Sequence, residues 1–261
     1  MDNLLKDRVD LLKDCEDEYL SYYTTFTDHE NYRVYVDKNI KNMYTHNFTY
    51  VKSGLDDKIA FSLVKEKIEE NKEKSFMNFL FAPDYSLDWN EFKILGIEVS
   101  CLLYMMIETE KMNIIKLNNE CTVKIADNEK MLYDGIICEI KGEDDGFAFL
   151  YKCNTHKKNV FLQNKDNLFY FIAYINEVPV GKCEVLINEH LLRIESLLVL
   201  NSFRGKGIAS SILNSIKEFA LQKNIKTIYL MAEEDDTPKL MYSKMGFNIV
   251  GKETWMLWEK H

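Results

Sequence analysis

A short glycine-rich segment, Arg204-Gly205-Lys206-Gly207-Ile208-Ala209, carries residue types suited to binding an anion. It follows an apolar run at residues 191–200 and opens an amphipathic segment at residues 208–221, so we expect a strand, a turn and a helix in that order. The first N–H groups of a helix lack partners within it, and the helix dipole adds partial positive charge there. Glycines let the backbone approach an anion closely, and Arg204 and Lys206 add formal charge. The segment therefore predicts a phosphate or pyrophosphate site.

Three interpretations of this segment stay open. It could be a plain loop and helix start that contains two glycines. It could be a dinucleotide-binding turn, but Ser210 stands where the third glycine is expected, and a pair of strands joined by a tight turn precedes it. The third is the acyl-coenzyme A loop of the GNAT superfamily of N-acetyltransferases, whose pattern Arg/Gln-x-x-Gly-x-Gly/Ala resembles Arg204-x-x-Gly207-x-Ala209.

Composition limits the classes of protein that need to be considered. The 261 residues suit one large domain or two of about 130 residues, and 46% of them are apolar. The net charge of −9 argues against general nucleic-acid binding and is compatible with a cationic or amine substrate. The six cysteines have no metal-type spacing, so we expect no metal and a reduced, cytoplasmic setting. The sequence has no signal-peptide pattern and no apolar run of about 18 residues, which predicts no membrane span.

Hydrophobic periodicity predicts the elements that must position the loop. In the first half we expect a helix over 4–22, strands over 32–36 and 48–51, a helix over 56–73, a strand over 76–81 that Pro83 helps to end, a short helix over 87–95 and a strand over 97–107. In the second half we expect strands over 122–125, 168–174, 180–187, 191–200, 227–232 and 247–258, helices over 129–141, 147–162, 208–221 and 238–245, and a turn over 188–190.

The two halves share an internal likeness. One segment of the second half begins Gly246-Phe247-Asn248-Ile249-Val250 and leads into residues 255–259. A similar segment of the first half begins Gly96-Ile97-Glu98-Val99-Ser100 and leads into residues 104–108. A gap of one residue aligns the two segments. A helix, a strand and a short helix are predicted before each segment. Chance likeness between two apolar strands is one explanation, and two copies of one fold with a boundary near residues 110–120 is the one we adopt.

Residues 120–261 resemble the GNAT fold in the predicted order of elements. Residues 194–200 look like the central strand of the family, residues 204–209 like its pyrophosphate loop, and Tyr242-Ser243-Lys244-Met245-Gly246-Phe247 like its Tyr-x-Lys-x-Gly-Phe block. Asp235 stands where the family often has asparagine, and Pro238 where it has alanine. The predicted fold class is α+β (α/β), with two GNAT-like domains that are each a mixed, mostly antiparallel sheet flanked by helices. Residues 1–115 would form a degenerate domain without a CoA loop, and residues 116–261 the acetyltransferase domain.

The resemblance implies the positions of a cofactor site. Backbone groups of Leu198, Val199 and Leu200 would hold the pantetheine arm of acetyl-CoA, where this strand splays from the next one at about Leu230. A backbone N–H there would stabilise the developing oxyanion. The pyrophosphate would lie on the loop and helix start, formed by Arg204, Gly205, Lys206, Gly207, Ile208, Ala209 and Ser210.

The resemblance also assigns roles to two titratable residues. Tyr242 matches the tyrosine that protonates the departing thiolate in many family members, and the alternative is a tyrosine that packs a helix on the sheet. Glu195 lies four residues before Val199, where a family carboxylate can take the proton of the amine, and the alternative is a solvated strand residue.

The N-terminal half differs at the position of the loop. Residues 51–57 read Val-Lys-Ser-Gly-Leu-Asp-Asp, so Asp56 and Asp57 stand at the predicted helix start. Carboxylates cap a helix well but would repel a pyrophosphate. We therefore expect that this half binds no CoA and instead either helps to shape the substrate cleft or pairs with the active copy.

Together these observations predict an acetyl-CoA-dependent N-acetyltransferase that transfers an acetyl group directly to a primary amine of a small molecule or peptide. No metal, nucleic acid or membrane partner is expected, and a homodimer is left open. The rivals are a non-catalytic acyl-CoA-binding or interaction module and another acyl- or aminoacyltransferase on a paired GNAT scaffold.

Overall fold

A computed structural model of the chain describes residues 3–82, 85, 87–142, 146–189 and 191–260, with the backbone alone over residues 3–10. Pro83, expected to help end a strand, and His190, the last residue of an expected turn, lie outside the described residues.

The first half alternates helices and strands much as the periodicity predicts. Its elements are α1 (Asn3–Ser21), β1 (Thr25–Asp28), β2 (Tyr32–Val36), β3 (Phe48–Val51), α2 (Asp57–Glu70), β4 (Phe76–Phe81), α3 (Trp89–Ile94) and β5 (Glu98–Glu108). Strand β1 was not expected, because its four residues are all exposed and leave no apolar alternation to detect.

The second half also follows the expected order. Its elements are β6 (Cys121–Ile125), α4 (Glu129–Gly142), α5 (Phe147–Gln163), β7 (Leu168–Ile175), β8 (Val178–Asn188), β9 (Leu191–Val199), α6 (Ile208–Gln222), β10 (Thr227–Glu233), α7 (Pro238–Lys244) and β11 (Asn248–Glu259). The turn between β7 and β8 is made by Asn176 and Glu177, both with positive φ, as a tight hairpin requires.

The predicted fold class is confirmed, since a mixed, mostly antiparallel sheet is flanked by helices. Two separate sheets lying side by side were expected, but the described strands form one 11-stranded sheet in the order β1-β2-β3-β4-β11-β5-β10-β9-β8-β7-β6. The last strand of each half is exchanged. Strand β11 lies between β4 and β5 of the first half, and β5 lies between β11 and β10.

The order of elements repeats between the halves. Three antiparallel strands, a helix, a strand, a helix and a final strand occur as β1-β2-β3-α2-β4-α3-β5 and again as β7-β8-β9-α6-β10-α7-β11. In both series the third strand pairs in parallel with the fourth, β3 with β4 and β9 with β10. The exact boundary, near residue 115, stays a prediction.

Helices cover both faces of the sheet. Helices α1, α4 and α5 pack on one face, where Leu12, Leu132 and Phe161 meet Tyr104 in one buried cluster. Helices α6 and α7 pack on the other, where Ile212 and other side chains meet Met105. Because adjacent side chains of a strand point to opposite faces, Tyr104 packs in the core on one face of the sheet and Met105 in the core on the other.

The strand exchange makes each half depend on the other. We predict that a fragment of residues 116–261 self-associates, because β10 would lose its pairing with β5 along Thr227–Glu233 and present an open apolar edge. Light scattering coupled to size-exclusion chromatography, together with thermal unfolding, measures this.

Co-expression of residues 1–115 with this fragment is the matched control, and it should return a discrete complex of both pieces. A monodisperse fragment that melts within a few degrees of the full chain would contradict the prediction.

Candidate functional site

Strands β9 and β10 separate where the sequence predicts. Their parallel pairing runs from Thr227 opposite Leu191 to Leu230 opposite Ile194, and both strands continue beyond it. A bulge in β9 accompanies the separation: Glu184 pairs with Glu195 and Lys182 with Leu198, so β9 advances by three residues while β8 advances by two. Ser196, at φ +52°, lies in this bulge. A bulge bends its strand, which opens a V between β9 and β10.

A buried cation supports the bulge from beneath. The Lys182 ammonium is fully buried, donates to Ser196 Oγ at 2.6 Å and to Glu184 Oε1 at 2.9 Å, and forms an ion pair with Glu139. Burial alone would lower the pKa of Lys182, but the charges of Glu139 and Glu184 outweigh it and raise that pKa. The ammonium therefore stays charged and fixes the residue with the unusual backbone conformation.

The glycine loop has the conformation that its glycines permit. Gly205 and Gly207 have φ of +72° and +82°, in the left-handed region that residues with a Cβ rarely adopt. Gly207 precedes α6, and the first bond into that helix runs from the Ser211 N–H to the Gly207 carbonyl at 3.0 Å. The N–H groups of residues 208–210 come before that bond, as a helix N-terminus that binds an anion requires.

The loop forms one wall of a cavity of about 580 Å³ on the face that α6 and α7 cover. Its lining includes Val199, Arg204, Gly207, Ser210, Met241 and Lys116. The segment before β6 crosses the loop, because the Asn118 side-chain amide donates to the Lys206 carbonyl at 2.8 Å.

The two cations of the loop bond to the protein itself. Arg204 Nε donates to the Val199 carbonyl at 3.1 Å, which ties the end of β9 to the loop. Lys206 Nζ donates to the Ser202 carbonyl at 3.0 Å. The sequence predicted their charge but not these bonds, which leave Arg204 Nη1 and Nη2 and two N–H groups of Lys206 without a bond to these two carbonyls.

The residues at the end of β9 face different neighbours. The Leu200 N–H donates to the Val180 carbonyl at 3.0 Å, and Leu198 pairs with Lys182, so both direct their backbone groups toward β8. Because these directions alternate along a strand, Val199 directs its groups toward the V. Of the three residues predicted to contact pantetheine, Val199 is thus the one whose backbone faces the opening.

Tyr242 lies on α7 with its ring packed edge-on against Phe247, and it is 7% exposed. Burial raises the pKa of Tyr242, and the charges of Cys183 and Glu195 raise it further. The phenol keeps its proton at neutral pH and is a weaker acid than an exposed tyrosine, and the same packing would suit a structural tyrosine.

Glu195 faces a second cavity, of about 220 Å³, on the opposite face of the sheet beneath α1. We call it the interhalf cleft, because both halves line it. From the first half come Lys13, Glu16, His46, Tyr50, Leu80 and Tyr104. From the second half come Lys157, Arg193, Glu195, Met231, Glu253 and Trp255.

An arginine organises one side of the interhalf cleft. Arg193 binds both oxygens of Glu16 on α1, at 2.7 and 2.9 Å, and its Nη1 lies 2.7 Å from Glu195 Oε2. Its guanidinium also lies 4.0 Å from the centre of the Tyr19 ring. Glu195 is 34% exposed, so its carboxylate is both paired and accessible from the cleft.

A buried acid lies on the other side. Burial raises the pKa of Glu253 to about 7, against the opposing charge of Lys13. Lys13 Nζ lies 3.3 Å from the centre of the Tyr50 ring, and burial lowers its pKa. The cleft therefore combines aromatic rings with several titratable groups.

One pair of polar residues in this region was missed by the sequence analysis. Asp37 and His46 are buried, and His46 Nδ1 lies 2.9 Å from Asp37 Oδ2. They lie nine positions apart in a segment without regular periodicity, and no motif identified them.

In the first half, the loop equivalent to the glycine loop leads into a helix that a carboxylate caps. Asp56 is the N-cap of α2 and accepts from the Lys58 N–H at 2.9 Å, while Asp57 begins the helix. This is the capping that the sequence predicts, and the absence of CoA binding there stays a prediction.

The described residues offer neither a metal site nor a membrane-spanning helix. They contain no group of three or more His, Cys, Asp or Glu side chains placed to hold a metal ion. No helix among them combines the length and apolarity needed to cross a bilayer.

The chain is similar in sequence to known acetyltransferases. The family described as "Acetyltransferase (GNAT) family" matches residues 137–247. The streptothricin acetyltransferase of Escherichia coli is 33% identical over 120 residues, which are 44% of this chain and 69% of that protein.

Solved structures resemble the chain over most of its length. A conserved protein of unknown function from Staphylococcus epidermidis has a TM-score of 0.73 at 20% identity, covering 89% of this chain and 92% of that one. A GCN5-related N-acetyltransferase from Kribbella flavida has a TM-score of 0.66 at 10% identity, covering 92% and 91%. A tandem GNAT protein from the clavulanic acid biosynthesis pathway has a TM-score of 0.57 at 9% identity, covering 88% and 78%.

At these identities the structural likenesses establish the fold alone. The sequence match to the E. coli enzyme extends over more than two thirds of that enzyme, and the match to the family spans the V and the glycine loop. This chain belongs to the GNAT family of acetyltransferases.

Proposed function

We propose that this protein is an acetyl-CoA-dependent N-acetyltransferase that binds acetyl-CoA in its C-terminal half and transfers the acetyl group directly to a primary amine. One observation supports the proposal: the V between β9 and β10 is formed by a strand, β9, that lines the cavity of the glycine loop on one face of the sheet and the interhalf cleft on the other. Each of the two substrates would then have its own approach to the same strand.

The loop fits the diphosphate of coenzyme A. Its two left-handed glycines, the N–H groups of residues 208–210 and the adjoining cavity supply donors and space. We propose that Gly205, Gly207, Ile208, Ala209 and Ser210 hold the diphosphate, with Arg204 and Lys206 adding charge, and that Val199 holds the pantetheine arm. When bound, acetyl-CoA supplies the activated acyl group.

The chain's own groups would position the amine and move protons. Tyr242 keeps its proton at neutral pH and would give it to the departing sulfur. Glu195 was expected to take the proton of the amine. Its ion pair with Arg193 favours a different role, in which it attracts and orients the ammonium form of the substrate at the edge of the cleft.

The interhalf cleft suits a cationic acceptor. Its lining includes the accessible carboxylate of Glu195 and the ring of Trp255, and aromatic faces attract cations at short range. Two cations of the same lining are already held by the protein, since Lys157 pairs with Glu184 and Arg193 with Glu16. The relative from E. coli is a streptothricin acetyltransferase, so streptothricin is the first acceptor to test. We propose a small-molecule amine as the substrate class, with a peptide amine as the alternative that the same assay distinguishes.

The deciding experiment is a screen for CoA release. The full chain is incubated with acetyl-CoA and a panel of streptothricin, polyamines, aminoglycosides and peptides with free N-termini, and products are identified by mass spectrometry. An N-acetylated amine supports the proposal. Tight CoA binding without any transfer would favour a non-catalytic acyl-CoA-binding module.

We predict that Gly205→Asp weakens CoA binding by about tenfold or more, because it adds a negative charge beside the expected diphosphate. A Cβ at this position meets no atom within 4 Å, so the side chain has room. Calorimetric titration with CoA measures the affinity.

The matched control is Gly205→Asn, which has the same shape and the same tolerance of positive φ but no charge. Equal losses in the two variants would show that the effect is conformational and would remove the electrostatic argument for this loop.

Tyr242→Phe should lower kcat by about 100-fold with little change in the KM for acetyl-CoA, because a proton donated only in the transition state is lost while the packed ring stays. Steady-state kinetics with an acceptor from the screen measure both constants. Tyr151→Phe, at an exposed tyrosine on α5, is the control. Normal turnover of the Tyr242 variant would return this residue to a packing role.

Glu253 should make stability depend on pH. Because its pKa is about 7 in the folded state against an ordinary value of 4.5, its contribution is fully present below pH 4.5 and is lost as the pH rises through 7. Relative to Glu253→Gln, the wild-type free energy of unfolding should therefore fall by up to about 3 kcal/mol between pH 4.5 and 8. Urea unfolding of both proteins at the two pH values measures this, and a constant difference would contradict it.

A further inference from the structure

We infer that His46, supplied by the N-terminal half, is the proton acceptor for the amine in the interhalf cleft, and that Asp37 is the residue that orients it. The inference rests on the proposed function and assigns a role to the half that carries no anion-binding loop. Its basis is the geometry of the two side chains and their position beside Glu195.

Asp37 is held rigidly. Its carboxylate is fully buried, and Oδ1 accepts from the N–H groups of Asn39 at 2.8 Å and Ile40 at 2.9 Å. Its other oxygen, Oδ2, lies 2.9 Å from His46 Nδ1. Burial alone would raise the pKa of Asp37, but these hydrogen bonds outweigh it and lower that pKa. Asp37 is therefore ionised and accepts a hydrogen bond from the imidazole.

This contact fixes the tautomer of His46. With its proton on Nδ1 and shared with Asp37, the neutral ring carries its lone pair on Nε2. The ring stacks on Tyr23 with centroids 4.8 Å apart and an interplanar angle of 27°, so it cannot turn freely. His46 is 4% exposed and lines the interhalf cleft. An oriented imidazole with a free basic nitrogen is the arrangement that general-base catalysis uses.

The charged and titratable groups around His46 come from four elements or segments. They are Asp37 directly after β2, Tyr23 just after α1, Lys157 on α5 and Glu195 on β9. Burial lowers the pKa of His46 below 6.5, and the charge of Lys157 adds to that effect, while Asp37 and Glu195 oppose it. The imidazole is therefore neutral at pH 7 and able to accept a proton.

Glu195 relates this base to the V. Glu195 and His46 both line the interhalf cleft, and Glu195 directly precedes Ser196 in the bulge of β9 that opens the V. The bound ammonium first gives one proton to His46 Nε2, which releases it to solvent, so that the nitrogen carries a lone pair. As this nitrogen bonds to the acyl carbon, a second N–H bond breaks, its electron pair stays on nitrogen, and the proton passes to His46 Nε2 directly or through one water. The carbon–sulfur bond breaks, the sulfur takes the proton of Tyr242, and Tyr242 regains a proton from solvent. The resulting imidazolium faces two carboxylates and then releases its proton to solvent.

His46→Asn is the sharpest test, because its side-chain amide can still donate to Asp37 but offers no basic nitrogen. We expect kcat/KM for the amine to fall by about 100-fold, while the affinity for CoA stays unchanged. In the wild type, kcat/KM should rise with pH through a midpoint below 6.5, and this pH-dependent rise should be absent in the variant. His29→Asn, at an exposed histidine stacked on Tyr32, is the matched control and should retain wild-type kinetics.

Asp37→Asn separates orientation from structure. Loss of the carboxylate should lower kcat while changing KM little. It should also shift the rising part of the pH–rate profile to lower pH, because the negative charge that raises the pKa of His46 is gone. A purely structural pair would instead change stability and leave the midpoint in place.

Histidine-labelled full chain examined by NMR provides a test that does not depend on turnover or on the variants folding. The inference requires a neutral His46 at pH 7.5 with its proton on Nδ1. A proton on Nε2, or an imidazolium at that pH, would overturn it. Wild-type transfer that is unchanged in His46→Asn would overturn this inference alone, whereas no transfer to any amine would overturn the proposed function and this inference with it.

Discussion

The antiparallel pairing of β5 with β11 is the constraint on which the rest of the structure depends. Each of these strands closes its own half of the sequence but lies beside the other half in space, so one register sets the position of both. Leu102 lies opposite Glu253, while Trp255 lies opposite Leu80 on the other side of β11. The floor of the interhalf cleft is therefore a single hydrogen-bonded surface, and residues far apart in the chain keep fixed positions relative to one another.

Onto this shared sheet the halves add different chemistry at equivalent places. After β9 the chain uses two left-handed glycines and exposes helix N–H groups, whereas after β3 the carboxylate of Asp56 accepts a hydrogen bond from the first turn of α2. The start of α2 in the N-terminal half is therefore capped by the chain's own carboxylate. Helix α1 then joins the halves, since Glu16 receives bonds from both Arg193 and Tyr229.

Local features of the fold were predictable, and pairing partners were not. The glycine loop and the helix after it follow from patterns within a few residues, because turn chemistry and apolar periodicity act locally. The separation of strands near Leu230 was expected only from the resemblance to the GNAT family. The exchange of β5 and β11 could not be predicted, because two similar apolar strands satisfy the same neighbours in either arrangement. His46 and Asp37 were missed because a loop that places two side chains together leaves no period in the sequence. Arg204 and Lys206 were predicted as charges, but which carbonyls they bind depends on the path of the loop.

The two cavities differ in electrical character, and β9 contributes to the lining of both. On the α6 face, the N-terminus of α6 and Arg204 are positive, which would suit an anion. The α1 face is mixed in charge, because Arg193 is paired there with Glu16 and Glu195. Under the proposed function, the two substrates would approach β9 from opposite faces, so neither would have to cross the site of the other. The bulge at Ser196, held by the buried Lys182, is where β9 leaves β10 and the two sides could meet.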